Sequence, residues 1–176
     1  MSTDALAAPG PAAAPVCGCP IDADFPALRM VCAAPPIYVV ENFLSAQQCV
    51  EMIEGSRPDL RESLAHNAGA HEGEEPPRTS SSVELGAEWS ATLHALAERV
   101  TRQPAAHMEM PTLARYTAGQ RYVAHHDAFP PGDPLCDPVR FGGNRIYTVL
   151  MYLNDVASGG RTTFHRVSTH ATPGTT

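Results

Sequence analysis

The sequence predicts an α+β fold in which helices pack on one face of a largely antiparallel sheet or barrel. Three observations support this class. The chain has 176 residues, of which 43% are hydrophobic, so it can form one domain with a core. Two helix-forming segments lie in the first 101 residues. Segments rich in β-branched and aromatic residues follow after residue 110 and are typical of strands.

Composition and charge argue against several classes of protein. The formal net charge is −7, which argues against a general nucleic-acid-binding surface. Lysine is absent, so the chain has neither a P-loop lysine nor a lysine for a Schiff base. Because no run of about 18 apolar residues occurs, no membrane-spanning helix is predicted. The five cysteines form no paired C-x-x-C motif and the first residues do not resemble a signal peptide, which favours reduced thiols and a cytoplasmic location.

The first part of the chain is predicted to be a flexible leader over residues 1–34. Ala, Pro and Gly dominate its first 20 residues without any periodicity, so this stretch cannot bury enough apolar surface to fold. The folded domain is predicted over residues 35–176, and it begins with the β-prone run Ile37–Val40.

Two helices follow in the predicted domain. Ser45 and Gln48 have the S-x-x-Q spacing of a capping box, which predicts a helix over 46–56 that ends before Pro58. Val50 and Ile53 are expected on its core face. The second helix is predicted over 87–101, because apolar residues recur there at spacings of three and four. Its apolar face consists of Trp89, Leu93, Leu96, Ala97 and Val100.

The β part of the chain contains four strand candidates. They have β-branched or aromatic residues and are bounded by Gly- and Pro-rich turns. The predicted strands cover residues 112–116, 121–126, 145–154 and 161–164. The strongest is 145–154, which reads Arg-Ile-Tyr-Thr-Val-Leu-Met-Tyr-Leu-Asn.

His125 and Asp127 are the strongest candidates for metal ligands. Residues two apart on a strand project to the same side, so an imidazole nitrogen and a carboxylate oxygen could converge on one cation while His126 points away. Two histidines and one carboxylate on one face of non-haem Fe(II) leave open positions for a co-substrate and O2. The H-x-D spacing alone is a weak signal, since two polar residues on any exposed strand also produce it.

The surroundings of this motif strengthen the hypothesis, because the ordered set of motifs resembles the prolyl 4-hydroxylase group of 2-oxoglutarate- and Fe(II)-dependent dioxygenases. The resemblance covers roughly residues 35–174. It is carried by Tyr116…Gly119-Gln120…Tyr122…His125-x-Asp127, Arg145…Thr148-x-x-x-Tyr152-Leu153-Asn154-Asp155-Val156, Gly159-Gly160-x-Thr162-x-Phe164 and, upstream, Arg78-Thr79-Ser80. The fold that this resemblance implies is a double-stranded β-helix, a jelly-roll barrel backed by helices.

The resemblance also implies roles for individual residues. His125 and Asp127 match two iron ligands. Tyr116 matches a position that contacts 2-oxoglutarate. Thr148 and Tyr152 are four apart on the strongest predicted strand and are expected on the same side, near the co-substrate, although Tyr152 could equally be an aromatic residue that fills the barrel. Tyr122 and Arg145 match positions that hold a proline-containing peptide, and Arg145 could alternatively be a solvated strand end. The implied reaction is prolyl hydroxylation of a peptide or protein with O2, 2-oxoglutarate and ascorbate; neither nucleic acid nor a membrane is an expected partner.

Two elements of the family pattern are missing. The family has a second histidine ligand and a basic residue for the far carboxylate of 2-oxoglutarate, both well beyond Phe164, whereas the chain ends at Thr176. His165 and His170 are the two histidines that follow Phe164, and both are interpreted as exposed loop residues. The chain is therefore predicted to be a C-terminally truncated domain, incomplete in its last strands, that binds iron weakly and associates through unpaired sheet edges. A catalytically inactive proline-peptide-binding or regulatory domain is the alternative function.

Overall fold

The structure is a computed structural model that describes residues 20–63, 76–137, 143–165 and 169–171. The predicted disorder of residues 1–20 falls almost wholly outside these ranges. The described residues form both helices and antiparallel strands, but the predicted order of two helices followed by strands is wrong, because two short strands lie between the helices. The strands are β1 (Leu28–Ala33), β2 (Pro36–Val40), β3 (Arg61–Glu62), β4 (Ser81–Glu84), β5 (Thr112–Arg115), β6 (Thr162–Phe164) and β7 (Thr169–Ala171), and the helices are α1 (Ala46–Ser56) and α2 (Ala87–Thr101).

The folded chain begins earlier than the sequence predicts. Strand β1 pairs antiparallel with β2, with Leu28 opposite Val40 and a bulge between Met30 and Cys32. The predicted leader over 1–34 is therefore too long at its C-terminal end. The error has a physical cause, because a strand is stabilised by its partner and the segment 28–33 shows no strong pattern when read alone.

Residues 20–25, which also belong to the predicted leader, contact the end of α2. The backbone amide of Asp22 donates to the carbonyl of Val100 at 2.8 Å. Arg102 donates to the Asp22 carboxylate at 2.9 Å, and its guanidinium group lies in an exposed ion pair. The Arg102 hydrogen bond holds the pKa of Asp22 below its ordinary value. These contacts fix the start of the described chain against the second helix.

Helix α1 confirms the predicted capping box and its predicted bounds. The Ser45 hydroxyl accepts from the Gln48 amide at 3.2 Å, and the Gln48 side-chain oxygen accepts from the Ser45 amide at 2.9 Å. The predicted core face was partly wrong, since Val50 is 58% exposed whereas Met52 is 2% exposed. Met52 and Ser56 are four residues apart and lie on the same side of the helix, and that side packs inward.

Helix α2 forms over the predicted residues and supplies a large part of the core. Leu93 and Ala97 are buried, and Trp89 packs against the core while half-buried. The helix ends at Thr101, and the C-cap residue Arg102 adopts a left-handed conformation with a φ of 54°. Neither α-helix in the described ranges has the length and hydropathy needed to span a bilayer.

The core lies between the two helices and the three-stranded antiparallel sheet with strand order β3-β4-β5. Its buried apolar members are Met52, Leu85, Leu93 and Leu113. Met151 and Leu153, from the last part of the chain, pack against this cluster while half-buried. The core therefore connects the helices to the segment that carries Thr148 and Tyr152.

The predicted strands have different outcomes. Residues 112–115 form β5 and residues 162–164 form β6, which pairs with β7, so these two predictions are confirmed within a residue. Residues 121–126 make only an isolated bridge between Tyr122 and Arg78, and 145–154 form no strand within the described part of the chain. A strand needs hydrogen-bonded neighbours as well as a β-prone composition. The α+β class with antiparallel sheets is thus confirmed, and the double-stranded β-helix stays a prediction.

Candidate metal and co-substrate site

His125 and Asp127 converge as predicted, although they do not lie on a strand. His125 Nε2 lies 3.2 Å from Asp127 Oδ1, and the two side chains are 38% and 46% exposed. Two donor atoms bound at right angles to one cation, each about 2.1 Å from it, would lie about 3.0 Å apart. The separation of the two atoms therefore fits a pair of neighbouring ligands in an octahedral metal site.

The backbone of Val123 fixes the orientation of the His125 ring. His125 Nδ1 lies 2.8 Å from the Val123 carbonyl oxygen, and a carbonyl can only accept a hydrogen bond, so Nδ1 carries the proton. In the neutral form of this tautomer, Nε2 carries the lone pair that can bind a cation. This is the arrangement that proteins use to present a histidine to a metal ion.

The Tyr122 ring stacks on the His125 ring, and the Arg78 guanidinium group lies over the Tyr122 ring. The Tyr122 and His125 rings stack with centroids 3.7 Å apart and planes inclined by 18°. The Arg78 guanidinium carbon lies 5.1 Å from the Tyr122 ring centroid, within the range of a cation–π contact. Tyr122 therefore supports the candidate ligand directly, and its predicted role towards a peptide stays a prediction.

A buried pair of serines holds Arg78 in this position. Arg78 Nε donates to Ser80 Oγ at 2.8 Å, and Ser80 is 1% exposed. Ser80 Oγ in turn lies 2.8 Å from Ser63 Oγ. These hydrogen bonds satisfy polar groups that would otherwise be costly to bury, and they connect the candidate site to the β3-β4-β5 sheet.

Thr148 holds the second oxygen of the candidate carboxylate ligand. Its hydroxyl donates to Asp127 Oδ2 at 2.5 Å, which leaves Oδ1 directed towards His125. Thr148 was predicted to contact the co-substrate, and the structure brings it to the metal-ligand pair. Its role towards 2-oxoglutarate stays a prediction.

Arg145 contacts the backbone of Asp127, whereas Thr148 contacts its carboxylate. Arg145 Nη1 donates to the Asp127 carbonyl at 3.1 Å. Its Nε and Nη2 donate to the two carboxylate oxygens of Glu109 at 2.6 Å and 2.8 Å. The Glu109 hydrogen bonds raise the pKa of Arg145. Arginine is protonated at physiological pH in any case, so the guanidinium group carries its positive charge here.

The remaining predicted site residues are Tyr116 and Tyr152. The Tyr152 hydroxyl donates to Thr162 Oγ1 at 2.9 Å and thereby connects its segment to β6. Tyr116 follows β5 and is 43% exposed. The co-substrate roles of Tyr152 and Tyr116 stay predictions.

The described residues supply no third metal ligand next to His125 and Asp127. His165 is exposed, as predicted. The side chain of His170 lies outside the described part of the structure. In the described ranges, no group of three His, Cys, Asp or Glu side chains is arranged to hold a metal ion. The described chain therefore provides two neighbouring donors.

Several residues of the site have no role predicted from the sequence, among them Glu109, Arg78 and Asn144. Glu109 and Arg145 are 36 residues apart, and no local pattern pairs them. Arg78 was noted only as part of a loop motif. Asn144, which precedes Arg145, holds Phe129 by two hydrogen bonds of 2.9 Å. Arginine supplies all 12 basic side chains of the sequence, but this composition does not identify the residue that each arginine contacts.

Comparison with known proteins supports the family resemblance. No protein-family profile matches the chain. "Probable prolyl 4-hydroxylase 8" of Arabidopsis thaliana is 33% identical over 141 residues, which cover 78% of this chain and 47% of that protein. "Probable prolyl 4-hydroxylase 10" and "Prolyl 4-hydroxylase 2" of the same plant are 34% and 31% identical and are covered to 45% and 46%.

These relatives share one class, since each is named as a prolyl 4-hydroxylase. The chain belongs to the prolyl 4-hydroxylase-like family. It spans slightly less than half of the length of the curated relatives described above.

Proposed function

We propose that the chain is part of a 2-oxoglutarate- and Fe(II)-dependent dioxygenase that hydroxylates prolyl residues of a peptide or protein, with ascorbate as the reductant. The observation that carries the proposal is the 3.2 Å separation of His125 Nε2 and Asp127 Oδ1 in a prolyl 4-hydroxylase-like chain. The finer features of the family belong to the same proposal. They are the double-stranded β-helix, the assignment of the folded chain to a dioxygenase domain, and the peptide substrate. The cytoplasmic location stays a prediction.

His125 and Asp127 are the residues that would hold the iron. Both are suitable donors for it, an imidazole nitrogen and a carboxylate oxygen. When bound, Fe(II) supplies the activation of O2 that couples oxidation of 2-oxoglutarate to succinate and CO2 with hydroxylation of a C–H bond. The chain's own residues bind, orient and shield the reactants.

The surrounding residues have separate tasks in this proposal. Val123 fixes the protonated nitrogen of His125 through its carbonyl, and Tyr122 limits rotation of the ring by stacking on it. Thr148 fixes one carboxylate oxygen of Asp127. The His125 and Asp127 side chains are 38% and 46% exposed, so reactants would reach them from solvent. In this proposal Tyr116 and Tyr152 contact the co-substrate and Tyr122 contacts the peptide.

Succinate release tests the proposal. The purified chain is supplied with Fe(II), 2-oxoglutarate, ascorbate and a proline-rich peptide, beside the variants His125→Ala and His126→Ala. We expect succinate release by the wild type and by His126→Ala to exceed that of His125→Ala, even if turnover is slow. His126 is the matched control because it is the neighbouring residue of the same type and is expected to point away.

The alternative is a catalytically inactive domain that binds proline-containing peptides. The favouring observation is the half-buried Tyr122 ring next to Arg78, since aromatic side chains line the grooves that proline-rich segments contact. Peptide binding without succinate release above the His125→Ala level would favour this alternative. Absence of both binding and turnover would refute both functions.

A further inference from the structure

Two consecutive residues, Asn144 and Arg145, hold the segment that follows the candidate metal ligand; we call them the latch. Asn144 Oδ1 accepts from the Phe129 amide, and Asn144 Nδ2 donates to the Phe129 carbonyl, both at 2.9 Å. Arg145 Nη1 donates to the Asp127 carbonyl at 3.1 Å. The latch therefore contacts the backbone at Asp127 and Phe129 and bridges the residue between them.

Glu109 orients the arginine of the latch. Its two carboxylate oxygens accept from Arg145 Nε and Nη2, so the planar guanidinium is held by one edge. The guanidinium carbon also lies 4.4 Å from the Phe129 ring centroid. With one edge paired and one face covered, only Nη1 is directed to the Asp127 carbonyl. A lysine could not reproduce this arrangement, because its ammonium group lacks the planar fork.

We propose that Arg145, oriented by Glu109, is a positioning residue that fixes the backbone of Asp127 and so sets the place of its carboxylate. The metal-related part of this inference rests on the proposed function, whereas the positioning of the backbone does not. The sequence resemblance implies a role for Arg145 towards the peptide substrate. The geometry points to a role behind the metal ligand, since its donors are directed to Glu109 and Asp127.

The expected size of the effect follows from the exposure of the pair. Loss of a residue that orients a metal ligand typically weakens metal binding about 10–100-fold. The Arg145 and Glu109 side chains are 38% and 63% exposed, so water screens and partly replaces their interaction. We therefore expect an effect near the lower limit, about tenfold.

The experiment uses the variants Glu109→Gln and Arg145→Lys, with Glu54→Gln as the matched control. Glu109→Gln keeps the shape of the side chain but removes the charge and one acceptor. Glu54→Gln makes the same change in an exposed ion pair, with Arg57 at 2.8 Å, on the remote helix α1. Hydrogen exchange is measured at the Phe129 amide, and the Leu85 amide, which donates to the Pro111 carbonyl at 2.9 Å, is the reference. Co(II) affinity and the Co(II) absorption spectrum are measured as a second readout.

In Glu109→Gln and Arg145→Lys, we expect exchange at Phe129 to accelerate about tenfold while Leu85 is unchanged, and Co(II) binding to weaken about tenfold with an altered spectrum. Glu54→Gln should change neither. Unchanged exchange at Phe129 overturns the inference. Faster exchange with unaltered Co(II) affinity also overturns it when the wild type binds Co(II) more tightly than His125→Ala does. If the wild type binds Co(II) no better than His125→Ala, the proposed function fails, and faster exchange at Phe129 still supports positioning of the backbone.

Discussion

Replacement of Thr148 by valine tests how the Asp127 carboxylate is oriented. Valine keeps the branched shape of threonine but cannot donate the 2.5 Å hydrogen bond to Asp127 Oδ2. The last torsion of an aspartate side chain is broad, so the carboxylate would then sample more orientations. We expect the variant to bind a divalent metal more weakly, because fewer of these orientations direct Oδ1 to the metal.

The structure also sets the magnitude of this effect. A hydrogen bond from a neutral donor to a charged acceptor contributes about 1.5–3 kcal/mol. Thr148 is exposed and the Asp127 side chain is 46% exposed, so water replaces much of the lost interaction. We expect a loss of about 0.5–1 kcal/mol, which corresponds to about two- to fivefold weaker binding.

The assay is a Co(II) titration followed by absorption or calorimetry, without 2-oxoglutarate. Thr148→Ser keeps the hydroxyl and should retain most of the affinity. Thr92→Val is the matched control, because Thr92 also loses one hydrogen bond, to the Glu88 carbonyl at 3.1 Å, but lies in α2. Equal Co(II) affinities for wild type and Thr148→Val would refute the orienting role. A loss of 2-oxoglutarate affinity alone would assign the hydroxyl to the co-substrate.

Three further predictions concern the stability of the fold. Ser45→Ala removes the capping box of α1 and should lower the free energy of unfolding by about 1 kcal/mol, measured by urea denaturation; no change would mean that the cap is replaced by water. Leu93→Ala should cost about 2–5 kcal/mol in the same assay, because Leu93 is 6% exposed, and clearly more than Leu96→Ala on the same helix; equal losses would contradict the assigned core. Asp22→Asn should lower the melting temperature near pH 7, since the Arg102 hydrogen bond lowers the pKa of Asp22 in the folded state. A lowered pKa stabilises the fold above the unfolded-state pKa, and this contribution is lost as pH falls through the folded-state pKa. The difference from wild type should therefore begin to shrink near pH 4, at about the unfolded-state pKa, and disappear below the folded-state pKa; a constant difference would refute it.

The helices were predictable because their signals are local. The capping residues Ser45 and Gln48 are three positions apart, and the apolar stripe of α2 repeats within one helical turn. Both signals depend on side chains that meet whenever the segment is helical. Which face turns inward is not local, and for that reason Val50 was wrongly assigned to the core.

The strands were less predictable because each depends on a partner. Residues 28–33 became a strand through pairing with Pro36–Val40, although their composition gave little signal. Residues 145–154 had the strongest signal and form no strand in the described part of the chain. β-Propensity measures how well a side chain fits a half-buried pleated surface, and the surface itself is supplied by other segments.

The sequence by itself determined the two helices, the α+β class, the family resemblance and the proximity of His125 to Asp127, since two residues so close along the chain need little help to meet. The tertiary structure decided how this pair is held. Thr148 reaches Asp127 across 21 positions, and Glu109 reaches Arg145 across 36. Contacts over such separations depend on the path of the backbone around the core, and no periodicity or spacing in the sequence encodes that path directly.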